Sequence, residues 1–324
     1  MIPSFRFEIE PVLPFRLDFT VWALRRRPDN IIDRWDGETY RRVLVIQGTP
    51  MEIAVCQPDK SDVILHILVN GADPTEELKS TLADVVETML GTKRDLSDFY
   101  TTARRSESLY TLSNRFLGIK PPRFPTVFEA LVNGIACQQL SLDFGITLLN
   151  RLTKAVGAPL TLESGVVYAF PGPHEVSLLT VEDLRAMSFS RQKARALLDL
   201  AKTMIDGEIE INNFTELSNE KISEMLRELR GVGRWTAEYV MLRGLGRLDV
   251  FPGDDVGAQK SLQNWLNLPA KPAYDEVKKV TEPWHPYAGF VYFHLLLSGL
   301  AAKGHITDAY AAIENDILRK TQGP

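Results

Sequence analysis

Short apolar runs dominate the first third of the chain. Runs of β-forming residues occupy four segments, at residues 15–21, 42–47, 51–57 and 63–69. Short runs of this kind between turn residues are typical of strands in an antiparallel sheet. A cap at Asp73, a proline and an acid then predict a helix start at residues 73–76. Residues 1–115 are therefore predicted to form an α+β domain with a small antiparallel sheet.

The pattern changes at residues 120–125, a proline-rich segment that predicts a linker. Thr126 and Glu129 predict a capping box at the start of the next helix. The Gly- and Pro-rich residues 157–174 predict a long loop. Apolar residues at helical spacing predict further helices at about residues 181–187, 191–206, 219–230, 234–244, 255–267, 273–281 and 286–302. Residues 116–324 are therefore predicted to form a mostly helical region.

The composition is that of an ordinary globular chain and excludes several classes of protein. A length of 324 residues suits two or three packed units. The two cysteines, Cys56 and Cys137, are too few for a disulfide framework or a four-cysteine metal site. The N-terminal residues lack the apolar core of a secretion signal, and no stretch reaches the roughly 20 apolar residues of a membrane helix. We expect a protein that is not secreted.

The net charge of −5 argues mildly against nucleic acid binding, because phosphate contacts need local Lys and Arg. Basic residues nevertheless cluster in two stretches, 191–202 and 221–247. Acidic residues are interleaved with them, so charge alone favours solvated helix faces over a phosphate-binding surface.

Two amphipathic helix patterns meet at Gly231-Val232-Gly233. Two glycines allow a tight turn and leave backbone N–H groups unobstructed. These groups lie at the start of the second helix, where the positive end of the helix dipole favours an anion. These residues and Arg234 are therefore candidate contacts to a DNA phosphate. The alternative is a packing corner without a ligand, which is the more frequent use of a bare Gly-x-Gly.

A pair of acids, Asp254 and Asp255, follows one helix later, after the turn Pro252-Gly253. The pair opens a new helix pattern, so a plain N-cap is one use for Asp255. Asp254 is the better candidate for the cap or for a supporting role.

The hairpin followed by paired acids resembles the helix-hairpin-helix DNA glycosylase superfamily. The closest match is its 3-methyladenine DNA glycosylase II (AlkA-like) branch. The Gly-x-Gly-Arg-Trp-Thr-Ala and Asp-Val-Phe…Asp-Asp patterns of that branch stand here at residues 231–237 and 249–255. The resemblance extends from about residue 124 to 300 and implies two helical subdomains with the active-site cleft between them. Residues 1–115 resemble, more weakly, the family's TATA-binding-protein-like N-terminal domain.

The resemblance implies a monofunctional DNA glycosylase of base excision repair. Asp255 matches the family's catalytic aspartate, which stabilises an oxocarbenium-like sugar and orients or deprotonates the attacking water. Bifunctional members place a nucleophilic lysine where this chain has Trp235, so we predict base removal alone, which leaves an abasic site. The expected substrate is a damaged, alkylated purine flipped out of double-stranded DNA. The expected state is a monomer.

Trp235 and Tyr239 lie four residues apart and are candidates for a wall that stacks on an electron-poor base. Core packing is an equal alternative for both. Trp22 is a weaker pocket candidate by rough alignment. Gln139 matches the family's wedge, which fills the gap left by the flipped base, and Leu140 is its apolar alternative. These two residues could instead end or continue a packed helix.

The family also implies a monovalent cation, Na⁺ or K⁺, at the main-chain carbonyls of Arg227, Leu229 and Val232. No other cofactor and no side-chain metal site is expected. The compartment depends on the source: cytoplasm and nucleoid in a prokaryote, nucleus in a eukaryote.

The chain departs from the family pattern at two places. Ala288 replaces an arginine, and Leu296-Leu297 stand where the closest relatives carry aromatics, so the preferred base stays open. An oxidised-purine glycosylase is a second interpretation, which the missing hairpin lysine opposes. Endonuclease III-type enzymes need a four-cysteine cluster that this chain cannot form. The alternative from another class is a catalytically silent DNA-binding module.

Overall fold

The computed structural model describes residues 2–59, 63–207, 214 and 216–307. Within these residues, the N-terminal part forms a five-stranded antiparallel sheet in the order β1-β5-β4-β3-β2. Its strands are β1 (Ser4–Ile9), β2 (Arg34–Trp35), β3 (Thr39–Ile46), β4 (Thr49–Cys56) and β5 (Leu65–Asn70). The three strands predicted at residues 42–47, 51–57 and 63–69 are thus confirmed as β3, β4 and β5.

The turn between β3 and β4 explains their register. Gln47 and Gly48 both adopt positive φ, at 49° and 78°. Two such residues form the tight turn whose twist matches an antiparallel hairpin. Ile46 therefore pairs with Thr49, and Thr39 pairs with Cys56 at the other end.

The strand predicted at residues 15–21 is wrong, because this segment begins helix α1 (Leu17–Arg25). Every residue of α1 except Asp18 is buried. A helix that is apolar around its whole circumference lacks the one-sided pattern that identifies helices, and a short apolar run then resembles a strand.

The helices that follow are α2 (Glu76–Leu90), α3 (Ser97–Ala103), α4 (Glu107–Arg115), α5 (Val127–Cys137), α6 (Leu142–Val156), α7 (Pro173–Ser177), α8 (Val181–Ala186), α9 (Arg191–Ile205), α10 (Asn219–Glu228), α11 (Arg234–Arg243), α12 (Val256–Leu266), α13 (Tyr274–Thr281) and α14 (Ala288–Ala301). The seven helices predicted from residue 181 onward are confirmed as α8 to α14. No described helix has the length and apolar character needed to cross a membrane.

Three local predictions are corrected. The cap of α2 is Thr75, whose Oγ1 accepts from the Leu78 amide at 3.1 Å, and not Asp73. Thr126 caps α5 as predicted, but the capping box is incomplete because the Glu129 carboxylate turns away to Arg42. The predicted long loop at 157–174 contains a hairpin, β6 (Pro159–Leu162) and β7 (Gly165–Tyr168).

Helix α1 lies between the two large hydrophobic clusters of the molecule. Leu17, Val21 and Leu24 pack in the cluster that joins the sheet to α5, α9 and α11. Phe19 and Trp22 pack in the cluster that joins α3 and α4 to α12 and α14. The C-terminal end of α1 therefore lies where the two clusters meet. The predicted linker at 120–125 is irregular but largely buried, and the domain boundary near residue 115 stays a prediction.

Candidate active site

The turn between α10 and α11 is shaped by its first glycine. Gly231 has φ +80°, and a Cβ there would lie 2.8 Å from the Cβ of Ala196 on α9. Left-handed backbone and this close approach both favour glycine. Val232 is buried and anchors the turn. Gly233 caps α11 and has open space around it. The first backbone amides of α11 therefore lie beside an exposed glycine, as the sequence predicted.

Asp255 is both a helix cap and an oriented carboxylate. Its Oδ1 accepts from the Ala258 amide at 2.8 Å and caps α12. Its Oδ2 accepts from Trp235 Nε1 at 3.1 Å and from the Tyr292 hydroxyl at 3.2 Å. The side chain is half-buried and borders a cavity. Capping and facing the cavity are thus compatible, since each uses a different oxygen.

Asp254 does not cap a helix, so the capping role predicted for it is wrong, while a supporting role stays a prediction. Its carboxylate accepts two hydrogen bonds from the Arg234 guanidinium, at 2.7 and 3.0 Å. Arg234 also lies over the ring of Tyr274, at 3.5 Å from the centroid. Two contacts therefore fix Arg234 beside the hairpin.

A cavity of about 1250 Å³ brings most of the predicted residues together. Its lining includes the hairpin residues Gly231, Val232, Gly233 and Arg234, the aromatic residues Trp235 and Tyr239, the loop residues Gln139 and Leu140, and Asp255. A volume of this size can hold a small-molecule-sized group such as a nucleotide. The hairpin, the predicted wedge and the predicted catalytic acid therefore share one open site.

The two aromatic residues on α11 form one wall of the cavity. Their rings stack with centroids 5.3 Å apart and an interplanar angle of 28°. Trp235 is half-buried, whereas Tyr239 is 3% exposed. Trp22 is not part of the lining. It is buried in the second cluster and stacks on His305 at 5.3 Å, so it is a core residue and not a pocket residue.

The loop after α5 projects from the structure at the position predicted for the wedge. Gln139 is exposed with φ +54°, and Leu140 is 40% exposed. The preceding Gln138 donates from Nε2 to the Gly231 carbonyl at 2.7 Å and to Thr236 Oγ1. Lys193 on α9 donates to the carbonyls of Ala136 and Gln138, both at 2.7 Å. These bonds hold the loop against the hairpin.

Three residues of the site were not predicted from the sequence. Tyr292 on α14 contacts Asp255, one turn before Leu296, which also lines the cavity. An aromatic ring therefore stands on the side where Leu296-Leu297 suggested none. Lys193 was counted only as part of a basic stretch. Arg26, which follows α1, lines the cavity although the run Arg25-Arg26-Arg27 contains no signal that distinguishes it.

Arg26 is a buried cation that has no carboxylate hydrogen-bond partner among the described residues. Its Nη1 donates to the Tyr239 hydroxyl at 2.8 Å, and its Nη2 donates to Asn133 Oδ1 at 2.6 Å. Its Nε is buried and has no hydrogen-bond partner. Burial raises the pKa of Tyr239, although Arg26 and Arg243 act in the opposite direction, so this phenol stays protonated at neutral pH.

Basic side chains outnumber acids in the lining of the cavity. Arg27, Arg227, Arg234 and Lys303 line it together with Asp254 and Asp255. Parts of the predicted basic stretches lie elsewhere, since Arg243 is fully buried and Arg230 pairs with Asp199 at 2.9 Å. The local balance at the site is therefore positive although the whole chain is acidic, and local charge is what a phosphate backbone contacts.

Comparison with known proteins matches this geometry to a family. The HhH-GPD superfamily of base excision DNA repair proteins matches residues 132–286. A DNA-3-methyladenine glycosylase of Bacillus subtilis is 25% identical over 282 residues, which cover 87% of this chain and 93% of that protein. DNA-3-methyladenine glycosylase 1 of Schizosaccharomyces pombe is 32% identical over 54% of this chain and 71% of that protein. The chain belongs to the HhH-GPD superfamily, and the family predicted from the hairpin and the paired acids is confirmed.

Solved structures share the fold over nearly the whole chain. The 3-methyladenine DNA-glycosylase of Archaeoglobus fulgidus has a TM-score of 0.77 at 24% identity and covers 90% of this chain and 97% of that one. The 8-oxoguanine glycosylase/lyase of Clostridium acetobutylicum, in complex with double-stranded DNA, has a TM-score of 0.71 at 18% identity, covering 94% and 100%. The arrangement of the N-terminal sheet and the helical elements is therefore common to these structures.

Proposed function

We propose that this protein is a monofunctional DNA glycosylase that removes an alkylated purine from double-stranded DNA and leaves an abasic site. One observation carries the proposal: the Asp255 carboxylate is held by two donors beside a stacked aromatic pair, in a cavity that also contains the hairpin. The relatives named DNA-3-methyladenine glycosylases support the same activity. We also infer that the protein acts as a monomer and that its N-terminal domain is TATA-binding-protein-like.

Each part of the site has a role in this reaction. The hairpin amides and the basic side chains of the lining bind phosphates. Gln139 or Leu140 fills the space that the flipped nucleotide leaves in the duplex. The base stacks against Trp235 in the wall that Trp235 and Tyr239 form, and Asp255 faces its sugar. The carbonyls of Arg227, Leu229 and Val232 are proposed to hold a monovalent cation that stiffens the turn.

The chemistry follows from the charge that develops on the sugar. The C1′–N bond breaks with its electron pair on the base, and the sugar becomes oxocarbenium-like. The Asp255 carboxylate stabilises that cation, and it accepts a proton from the water that attacks C1′. Trp235 Nε1 and the Tyr292 hydroxyl hold Oδ2 in place without supplying a nucleophile. No lysine stands at the hairpin position that would form a Schiff base, so the DNA strand stays intact.

The variant Asp255→Asn tests the catalytic role. Asparagine retains the ability to cap α12, so the fold should survive while the charge is lost. We expect single-turnover release of 7-methylguanine from a duplex to fall roughly 1000-fold or more. Affinity for a duplex with an abasic-site analogue, measured by fluorescence anisotropy, should change little. Asp84→Asn is the control, because Asp84 is an exposed aspartate on α2 outside the cavity lining, and this variant should retain base release.

Three results would decide against this proposal. Loss of DNA affinity in Asp255→Asn, with base release per bound complex unchanged, would make Asp255 a structural cap. Absence of base release by the wild-type protein, with DNA binding intact, would favour the silent DNA-binding module. Strand cleavage, or a covalent adduct trapped by borohydride, would instead favour a glycosylase with lyase activity.

A further inference from the structure

The bond between Arg26 and Tyr239 fixes where the tyrosine proton can go. A guanidinium has donors and no acceptor. The Tyr239 oxygen must therefore accept the 2.8 Å bond from Arg26 Nη1. Its own O–H remains free to donate, and no acceptor for that proton is found among the described residues. Both residues line the cavity, so a donor is available at the wall where the base is proposed to stack.

Two arginine side chains lie next to the phenol of Tyr239. Arg26 holds its oxygen, and the guanidinium of Arg243 lies 5.6 Å from the centroid of its ring. Arg26 is 4% exposed, Arg243 is fully buried, and neither donates to a carboxylate. A nearby cation makes a phenol a stronger donor, because the charge that the oxygen would acquire is stabilised. The site is thus polarised to bind negative charge at the end of Tyr239.

We infer that Tyr239, positioned by Arg26, donates a hydrogen bond to the departing base and thereby assists the loss of neutral purines. This inference rests on the proposed glycosylase function and concerns one step of it. Tyr239 contacts the base in this step. Arg26 is a positioning residue that acts through Tyr239.

The charge of the leaving base decides how much this donor matters. When the bond from C1′ to N9 breaks, its electron pair stays on the base. A cationic base such as 7-methylguanine departs neutral. A neutral base such as hypoxanthine departs as an anion, and its excess charge spreads to ring nitrogens and O6, which are acceptors. A fixed donor aimed at developing charge lowers the barrier, and the anion later takes its proton from solvent.

The decisive variant is Tyr239→Phe, assayed on two duplexes that differ only in the lesion. The ring that stacks on Trp235 is retained, so the wall should survive. We expect single-turnover release of hypoxanthine to fall roughly 100-fold, whereas release of 7-methylguanine changes little. Tyr110→Phe is the matched control, because Tyr110 is an exposed tyrosine on α4 outside the cavity lining. Both rates should stay at the wild-type value in that variant.

The variant Arg26→Met tests whether Arg26 positions Tyr239. The measurement is again the rate of hypoxanthine release divided by the rate of 7-methylguanine release. We expect the ratio of hypoxanthine to 7-methylguanine release to fall in the same direction as in Tyr239→Phe. A residue with only a structural role would lower both rates together. If this variant does not fold, as judged by circular dichroism, Tyr239→Phe alone decides the matter.

These assays distinguish the donor role of Tyr239 from the glycosylase function on which it rests. Equal losses on both lesions in Tyr239→Phe would overturn the donor role. Wild-type release of 7-methylguanine without any release of hypoxanthine would also overturn it, while leaving the glycosylase function intact. Release of neither base by the wild-type protein would count against the glycosylase function itself.

Discussion

Two buried arginines, Arg42 and Arg26, bind side chains one turn apart on α5, and their hydrogen-bond partners differ in charge. Arg42 donates to Asp33 at 2.7 Å and to Glu129 on α5 at 2.5 Å. Arg26 donates to Asn133, the next turn of α5, and to Tyr239. Arg42 is thus surrounded by carboxylates and lies outside the cavity lining. Arg26 has neutral partners and lines the cavity.

The difference shows where this fold tolerates a buried cation that no carboxylate pairs with. A buried ion is costly unless it is paired and hydrogen-bonded. The Arg42 cluster meets that requirement and holds the sheet to α5. Arg26 meets it only in part, since its partners Tyr239 and Asn133 are neutral; the Nε atoms of both arginines lack a hydrogen-bond partner among the described residues. Incomplete compensation next to the cavity is what a site needs to interact with charge that appears only during the reaction.

The largest expected effect is on stability and comes from Arg42→Met. The substitution leaves the Asp33 and Glu129 carboxylates buried without their cation, so we expect a loss of about 3–5 kcal/mol in the free energy of unfolding. Urea denaturation followed by circular dichroism measures it. Arg41→Met is the matched control, because Arg41 is a partly exposed neighbour that pairs with Asp36 at the surface, and such pairs contribute about 0–1 kcal/mol.

Arg26→Met should cost less stability than Arg42→Met, since the hydrogen-bond partners that it leaves, Asn133 and Tyr239, are neutral, whereas Arg42→Met leaves two buried carboxylates. We expect about 1–3 kcal/mol, mostly from the bonds that Asn133 and Tyr239 lose. The same denaturation experiment applies. Equal losses in the two variants would show that both arginines are structural and would remove the contrast between them.

His294 extends the comparison of buried cationic side chains, because a histidine can lose its charge by releasing a proton. It is fully buried among aromatic rings, and burial lowers its pKa from 6.5 to about 4. Between these pH values the unfolded chain binds the proton and the folded chain does not. Neutral His294 therefore contributes roughly 3 kcal/mol above pH 6.5 that is lost as the pH falls to 4.

The measurement is the free energy of unfolding at several pH values between 4 and 7. His294→Phe should flatten the dependence, whereas His174→Gln, which removes an exposed histidine, should not. An unchanged slope in His294→Phe would assign the acid sensitivity to other groups.

The smallest expected effect comes from Lys193→Met. Lys193 is a half-buried cation with two carbonyl partners, and burial lowers its pKa. Its loss should loosen the loop at residues 138–140 and weaken duplex binding about fivefold to tenfold, equivalent to about 1 kcal/mol. Fluorescence anisotropy measures this affinity. Lys202→Met on the same helix is the control, and equal affinities of the two variants would mean that Lys193 does not support the loop.

Predictions from the sequence succeeded where the signal was local. The strands at 42–47 and 51–57, the helices after residue 181 and the family itself follow from residues close together in the chain. The strand predicted at 15–21 failed because α1 is buried on all sides. Asp73 failed as a cap because Thr75 forms the cap two residues later. The roles of Asp255, Gln139 and the hairpin stay predictions, and the Asp255→Asn variant tests the first of them.

The sequence by itself determined the family, the hairpin and the position of Asp255, because glycine, aspartate and helical spacing act over a few residues. Only the tertiary structure decided that Trp22 joins the core while Arg26, one turn later, lines the cavity. The reason is physical: α1 lies between two clusters, and Arg26 directly after it is held by Asn133 and Tyr239, which are 107 and 213 residues away in the chain. Charge compensation around Arg26 and Arg42 likewise depends on which partners the fold brings to each guanidinium, so no local pattern distinguishes the two arginines.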